Sequence, residues 1–549
     1  SRGRTCDTML RAAGWRTIWR TAPPSRVVIG GAALVTGIAY VSSPYLLDSP
    51  LDHAGSASEH RFPLCSLFAW GMNKNKVAAP HLKDTVVRLP ENFQSLDGMA
   101  LRDVQFSNDV GVAVDASGNI LQWGTGFDPV LPCPSQTLTG LDIERVQISG
   151  SKVFALSRSG HVYVFATQRS KLIRDASSWF SSPFDYIQLK ANERFKDIAA
   201  GEHHVLALSR DGHVYSVPAD DLANEFGQLG YSSVSLTQRD SFKRVEARLE
   251  PRIVLNRRRS DALETPHKDI VDSSDIRYAP ELRPVPSLHG VTFAQIDVGS
   301  NHSVARTAEG RVLTWGYNGF GQLGLGANIS VDTVAVPSEV AWPVSIVGRN
   351  ASCSCVAAGG NNTFFVIQSS NAPIISDEKG ALSKERVDVL AVGSGQRGTL
   401  GNGQRSQVCG VPTRVKNVSG LYEYSEREKR LCPIQVHALT VGAGGQCALV
   451  MDAPPLSQDE TRRDVYVWGD NDASQLGMGG KGHRAVPSLL THTPPSNQDD
   501  KEQPAPQRIL LVERNKVRGS SWDGKERTYS RVEQRIVAGG SCVGVYTKV

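Results

Sequence analysis

The sequence predicts an all-β fold, a seven-bladed β-propeller closed by strands shared between its two ends, with an N-terminal transmembrane helix ahead of it. Three observations carry the propeller. A unit of three short apolar strands joined by small-residue turns recurs after residue 60. Its last strand ends in an aromatic residue and Gly, or in a substitute, at seven places: Trp70, Trp123, Phe165, Val217, Trp315, Val392 and Trp468. The two ends of the repeat region are complementary halves of one unit: 537–546 (VAGGSCVGVY) supplies a first half, and 66–71 (SLFAWG) supplies a last strand. Units too small to bury their own faces must stack, and radial stacking protects their sheet edges.

Composition agrees. Of 549 residues, 40% are hydrophobic and 21% charged, enough apolar matter for a core. The 51 glycines follow no collagen period and point to many tight turns. Nine cysteines are too few and too scattered for a disulfide scaffold. Of the 60 basic and 55 acidic side chains, residues 1–47 hold six Arg and one Asp, so the rest of the chain carries 54 of each. A body neutral overall argues against a protein built mainly to coat nucleic acid.

In chain order, residues 1–26 are Arg-rich and nearly free of acid, with Leu10, Trp15, Ile18 and Trp19 roughly on one helical face. That composition predicts a mitochondrial presequence. Residues 27–47 follow with no charge in 21 positions, long enough for a single transmembrane anchor. The basic flank is N-terminal to it, which predicts an inner-membrane protein whose body lies in the intermembrane space, the matrix being the alternative. Residues 48–60 read as a linker, and 61–549 as the propeller.

Within the propeller, clear units lie at 104–124, 146–166, 197–230 and 294–326, and degenerate ones at 356–403 and 439–480. Alternating apolar residues such as Val205, Ala207 and Val214 suit half-buried strands. The turns at Arg210-Asp211-Gly212-His213 and Glu309-Gly310 suit hairpins. The longest insertion is expected at about 231–284, with others at 167–194, 369–386, 417–433, 452–464 and 491–508. Partner choice is expected in such loops, because the blades are scaffold.

The tail Gly316-x-Asn318-x-x-Gly321-Gln322-Leu323-Gly324-x-Gly326, following Trp315, resembles the repeat of the regulator of chromosome condensation family of seven-bladed propellers. Gly227–Gly230 and Gln475–Gly477 match it in part, Trp468 and Gly469 repeat the Trp-Gly, and Trp70 and Trp123 hold the same place elsewhere. These residues are read as repeat-defining and structural. The resemblance extends to the fungal mitochondrial inner-membrane member of that family. It implies a protein-interaction scaffold or assembly factor, with respiratory complex III subunits or assembly intermediates as partners. It also implies two alternatives, a matrix RNA-binding factor in mitochondrial ribosome assembly and a guanine-nucleotide exchange factor.

Other motifs read as structure. Gly319-x-Gly321-x-x-Gly324 formally fits a dinucleotide fingerprint, but no helix former follows it, and the repeat accounts for its glycines. His203-His204 and Cys353-x-Cys355 lack partners at metal-ligand spacing, so no metal or cofactor is expected. No nucleophile, base and orienter come together in the sequence, so no enzyme activity is expected. Arg257, Arg258 and Arg259 are the one candidate contact for a partner or polyanion, with Asp261, Glu264 and Asp269 nearby to offset them.

Overall fold

The computed structural model of the chain describes residues 29–30, 45–46, 63–173, 184–238, 243–252, 272–326, 331–348, 350–376, 382–425, 428–457, 460–492 and 507–549. Within them, seven units of four antiparallel strands recur. They are numbered here by their third strands: Leu67–Met72 in blade 1, Ile120–Trp123 in blade 2, Val162–Ala166 in blade 3, Val214–Pro218 in blade 4, Val312–Tyr317 in blade 5, Leu382–Gly393 in blade 6 and Glu460–Gly469 in blade 7. The inner strand of each blade touches the inner strand of the next, and blade 7 touches blade 1 in the same way. The core lies between the blades. Each apolar cluster joins one blade to its neighbour, as Leu206, Leu208 and Val214 of blade 4 pack with Ile296, Ala305 and Trp315 of blade 5.

Blade 1 is built from both chain ends. Its inner strand Glu526–Gly539 and second strand Cys542–Lys548 come from the C-terminus. Its third strand pairs with Cys542–Lys548 in a register running from Leu67↔Tyr546 to Gly71↔Cys542. Ser66 N–H donates to Thr547 Oγ1 at 3.1 Å.

The repeated tryptophans act between blades. Four fully buried indole N–H groups each donate to a carbonyl of the preceding blade: Trp70 to Gln475 at 2.8 Å, Trp123 to Val77 at 2.9 Å, Trp315 to Gln228 at 2.9 Å and Trp468 to Thr399 at 2.7 Å. A buried indole needs such an acceptor. The acceptors lie in the tails that join third to outer strands, so the Trp and the tail of the sequence motif meet across blades.

A second link runs through buried histidines. His204 Nε2 lies 2.8 Å from Ser303 Oγ, which donates to Gln228 O at 2.9 Å. His302 Nε2 lies 2.8 Å from Thr363 Oγ1, which donates to Gln322 O at 2.7 Å. Each hydroxyl has spent its one proton on the carbonyl, so each imidazole donates from Nε2. Burial pulls both histidines down to about 3.

Glycine is required at two points of the repeat. Gly316 has φ +108, and a methyl there would sit 2.6 Å from Asn301 O of the adjoining turn. Gly310, in the turn between second and third strands, has φ +87, and its carbonyl accepts Cys353 N–H of the next blade at 3.0 Å. Around the axis, inner strands splay too far for full ladders, and side chains bridge instead. Asp103 accepts Val146 N–H and Asp297 accepts Ala358 N–H, each at 2.9 Å. Burial pushes Asp297 up to about 7.

Several stretches read as insertions lengthen strands. Asn362–Ser376 and Leu382–Gly393 extend blade 6, and Gln446–Ser457 and Glu460–Gly469 extend blade 7. Gln507–Ser520 joins blade 7 to blade 1, pairing with Glu460–Asp464 on one side and with Glu526–Gly539 on the other. Leu421–Ser425 and Arg430–Pro433 form a hairpin between blades 6 and 7.

The presequence expected at 1–26 and the linker at 48–60 lie outside the described residues. So does the anchor expected at 27–47, except at four positions whose backbone is extended rather than helical. Ile29–Gly30 pairs with Tyr422 and Leu421, and Tyr45–Leu46 pairs with Ile509–Leu510. Among the described residues no helix is long and apolar enough to cross a membrane.

Two tests follow from these links. Removing residues 535–549 takes the buried Val537, Val543, Val545 and Tyr546 out of blade 1. At about 2 kcal/mol each, before counting the exposed sheet edge, the loss rivals the whole stability of a typical domain. The truncated chain is expected to aggregate or melt without a cooperative transition. An unchanged melting temperature would show that blade 1 does not depend on these strands. The second test is pH. A histidine held neutral to about 3 in the fold, against about 6.5 when unfolded, costs stability as pH falls below 6.5, at about 1.4 kcal/mol per pH unit. His302→Gln places there the residue that blade 7 uses, Gln446. Relative to wild type, the variant should gain about 2 kcal/mol between pH 8 and pH 5 in urea titrations. An equal difference at both pH values would mean that His302 titrates in the fold as it does in the unfolded chain.

Candidate protein-interaction face

In an antiparallel blade the turn after the inner strand and the connection after the third strand fall at the same end. All seven pairs of loops therefore gather on one face. The turns are tied around the axis: Glu202 N–H donates to Ser300 O at 3.0 Å, and Ser300 N–H donates to Gly360 O at 2.9 Å.

The tails are held by their own polar residues. In blade 5, Asn318 Oδ1 accepts Leu323 N–H at 3.2 Å, and Gln322 Oε1 accepts Phe320 N–H at 2.9 Å. Asn224 and Gln228 do the same in blade 4 for Leu229 and Phe226, and Asn471 and Gln475 in blade 7 for Leu476 and Ala473. The residue just before the second glycine of the tail thus has its backbone fixed. In blades 4 and 5 it is Phe.

These phenylalanines anchor an apolar strip. Phe226 and Tyr317 pack with ring centroids 4.5 Å apart and planes tilted by 47°, and Tyr317 meets Phe320 edge-on at 6.0 Å. All three are half-buried. Around them Leu222 is 42% exposed, Val331 45% and Val408 56%. Hydrogen bonds join these segments: the Asn318 side-chain Nδ2 donates to Val331 O at 3.1 Å, and Cys409 N–H donates to Phe320 O at 3.1 Å. With Val336 and Val411 on the adjoining outer strands, this sector of blades 4 to 6 holds five of the ten exposed large hydrophobic residues among the described ones. Such concentration marks an interaction surface rather than scatter.

Acidic groups flank the strip. His203 Nδ1 lies 2.8 Å from Asp220 Oδ2, and this bond pushes the imidazole up, with help from Glu202 and Glu225. Arg252, largely exposed, lies 3.6 Å from Glu225. Asp332 accepts Asn318 N–H through its carbonyl at 3.0 Å, next to Thr333, which pairs with Tyr317.

The sequence-predicted residues divide clearly. Arg257, Arg258 and Arg259 lie outside the described residues. Trp70, Trp123, Trp315 and Trp468 are the inter-blade donors described above. Gly316 and Gly469 sit against the neighbouring turn, Gly321 meets Gly410 of blade 6, and Gly324 lies against Val340 and Val392. His203 is on the face, whereas His204 is buried between blades. Cys353 and Cys355 lie on the inner strand of blade 6, and burial pushes both thiols up, Cys353 to about 12. One group with ligand-like spacing does occur, Asp470, Asp472 and His483. Arg397 lies 2.5 Å from Asp470 and 3.3 Å from Asp472, and Asn471 N–H donates to His483 Nδ1 at 3.1 Å. With both carboxylates on Arg397 and its imidazole lone pair taken, the group reads as an ion-pair cluster. The apolar strip was missed in the sequence. Its signal was Phe-Gly-Gln-Leu-Gly occurring twice, with an aromatic at a position the blade does not need.

The stretch 231–284, read from the sequence as an insertion, enters the core instead. Ser233–Thr237 and Arg244–Arg248 form a hairpin, and Val234, Leu236, Tyr278 and Leu282 pack with Val164, Val217 and Leu229. Arg283–Pro284 is the outer strand of blade 4. Lys152 Nζ donates to Ala219 O at 2.6 Å and lies 5.1 Å from the centre of the Tyr278 ring, and burial pulls it down to about 8.

Comparison with known proteins agrees with this architecture. Residues 293–322 and 309–366 match the regulator of chromosome condensation (RCC1) repeat, so the chain carries repeats of that family. Over 430 residues it is 24% identical to the mitochondrial protein FMP25 of Saccharomyces cerevisiae, covering 73% of this chain and 62% of that protein. The chain thus spans less than two thirds of that relative's length. It is 50% identical over 60 residues to the mitochondrial RCC1 domain-containing protein RUG3 of Arabidopsis thaliana, covering 11% of this chain and 13% of that one. Among solved structures, Prp20p from Saccharomyces cerevisiae superposes with a TM-score of 0.51 at 15% identity, covering 88% of this chain and 92% of that one. Human WBSCR16 gives 0.51 at 15%, covering 88% and 99%. At that identity the structures show the propeller fold alone.

The packing of 231–284 makes a graded test. Replacing only 253–271 with a short Gly/Ser bridge should leave the melting temperature within a few degrees, since loop closure changes by about 0.6 kcal/mol per doubling of length. Replacing all of 231–284 removes buried side chains and a blade strand, and should abolish soluble expression. Equal behaviour of the two deletions would contradict the packing described.

Proposed function

We propose that this chain is a mitochondrial propeller protein that works by holding protein partners on the loop face of blades 4 to 6. The observation that carries the reading is the aromatic strip, a rigid apolar surface that the fold itself does not use. Similarity to FMP25 over 73% of the chain and the Arg-rich, acid-poor residues 1–26 support the mitochondrial setting. A solved neighbour binds partners too: Prp20p is described by its binding to Gsp1p and histones. The raised thiols of Cys353 and Cys542 lend no support to a catalytic nucleophile.

Within this reading, assembly of respiratory complex III is the specific client, and membrane association through 27–47 rests on its 21 uncharged positions. Loss of the protein is then expected to deplete mature complex III while organelle translation continues. Pulse-labelling of translation products beside native gels of the respiratory complexes decides it. An early, general translation defect would instead favour an RNA-binding role in ribosome assembly. Normal translation with normal complexes would remove both.

A further inference from the structure

We propose that the segment held on the aromatic strip is basic, an extended Arg- or Lys-bearing stretch of a partner protein. The inference rests on the reading of that face as the binding surface and adds its chemistry. Phe226, Tyr317 and Phe320 present ring faces and edges in one cluster. Cationic side chains, Arg above all, sit favourably over such faces. Acidic residues stand in the segments that carry and adjoin the rings. Glu225 precedes Phe226 in the same tail, with Glu202 and Asp220 grouped close enough to act on the same imidazole. Asp332 lies next to Thr333, which pairs with Tyr317. Against these acids stand His203, already bonded to Asp220, and Arg252, whose approach to Glu225 is loose at 3.6 Å. Neither Glu202 nor Asp332 has an ion-pair partner among the described residues.

The surroundings make the polarity local. In blade 1 the corresponding loop carries Lys74, Lys76 and Lys83 against Asp84. In blade 7 the acids Asp470 and Asp472 are already matched by Arg397. Among the described residues, the sector of blades 4 and 5 combines half-buried aromatics with the unpaired acids Glu202 and Asp332. An acidic segment would be repelled there, and a purely apolar one would leave the carboxylates facing a dry contact without a partner. A basic residue that stacks its stem on the rings and turns its charge to Glu225 or Asp332 satisfies both.

The test uses the purified full chain and three fluorescein-labelled peptides of equal length, alternating Ala with Arg, Lys or Glu. The Arg peptide is expected to bind saturably, more tightly than the Lys peptide, and the Glu peptide not at all. Glu225→Gln with Asp332→Asn should weaken the Arg peptide about tenfold, and Phe226→Ser with Phe320→Ser by at least as much. Asp109→Asn, in blade 2, should leave peptide binding unchanged, and every variant should keep a cooperative melting transition. Binding insensitive to the blade 4 and 5 substitutions, no binding of either cationic peptide, or preference for the Glu peptide would each overturn the proposal. The face itself is tested apart, by photo-crosslinking from position 320 in intact mitochondria. A protein adduct there with no cationic peptide binding in vitro would leave the face standing and the basic partner refuted.

Discussion

One hydrogen bond stands for the constraint on which this molecule depends. The indole N–H of Trp70, near the start of the propeller, donates to the carbonyl of Gln475, 405 positions later. A blade of four short strands cannot bury both its faces, so every blade is finished by its neighbour. The Trp of one blade reaches the tail of the one before, and the histidine of one blade reaches the hydroxyl of the next. Blade 1, assembled from Leu67–Met72 and Cys542–Lys548, brings the two ends of the chain under the same rule. Stability here is shared between blades, which is why loss of a terminal strand is expected to be felt globally rather than locally.

That rule also shapes the surface. Because Gln228 and Gln322 offer their carbonyls to the next blade, their tails must hold still, and the side chains of Asn224 with Gln228 and Asn318 with Gln322 fix the backbone around them. The residue between is left with a fixed position and an unassigned side chain. Alanine at position 473 shows that a small residue suffices for the tail. Phe226 and Phe320 therefore add surface that the fold does not require, on a support that loses little entropy when a partner binds.

The fold was largely legible because its signals are local and repeated: the Trp-Gly ending of each third strand, the glycine turns, and complementary half-units at the ends. Two things were not. The stretch 231–284 is polar and poor in period, so it read as a loop, yet Val234, Leu236, Tyr278 and Leu282 are scattered core residues spread over a hairpin and an outer strand of two residues. Alternation over so few positions gives no usable pattern. The aromatic strip was hidden for another reason. Its members come from three blades and become neighbours only through inter-blade bonds such as Cys409 N–H to Phe320 O.

The placement of the chain's described N-terminal positions has a consequence for how such a face would work. In each blade the inner strand runs toward the loop face, so the connections between blades and the turns between second and third strands lie at the opposite end. The hairpin of Leu421–Ser425 and Arg430–Pro433 is one of those connections, and Ile29–Gly30 pairs with it. Tyr45–Leu46 pairs with Gln507–Ser520, whose turn into Glu526–Gly539 is also at that end. The four described positions of the uncharged stretch 27–47 thus pair with the propeller at the end away from the strip. A tether acting through that stretch would hold the protein by one end and turn Phe226, Tyr317 and Phe320 outward. Binding to an incoming partner would then not compete with attachment, and the gain in local concentration from tethering would fall wholly on the partner side.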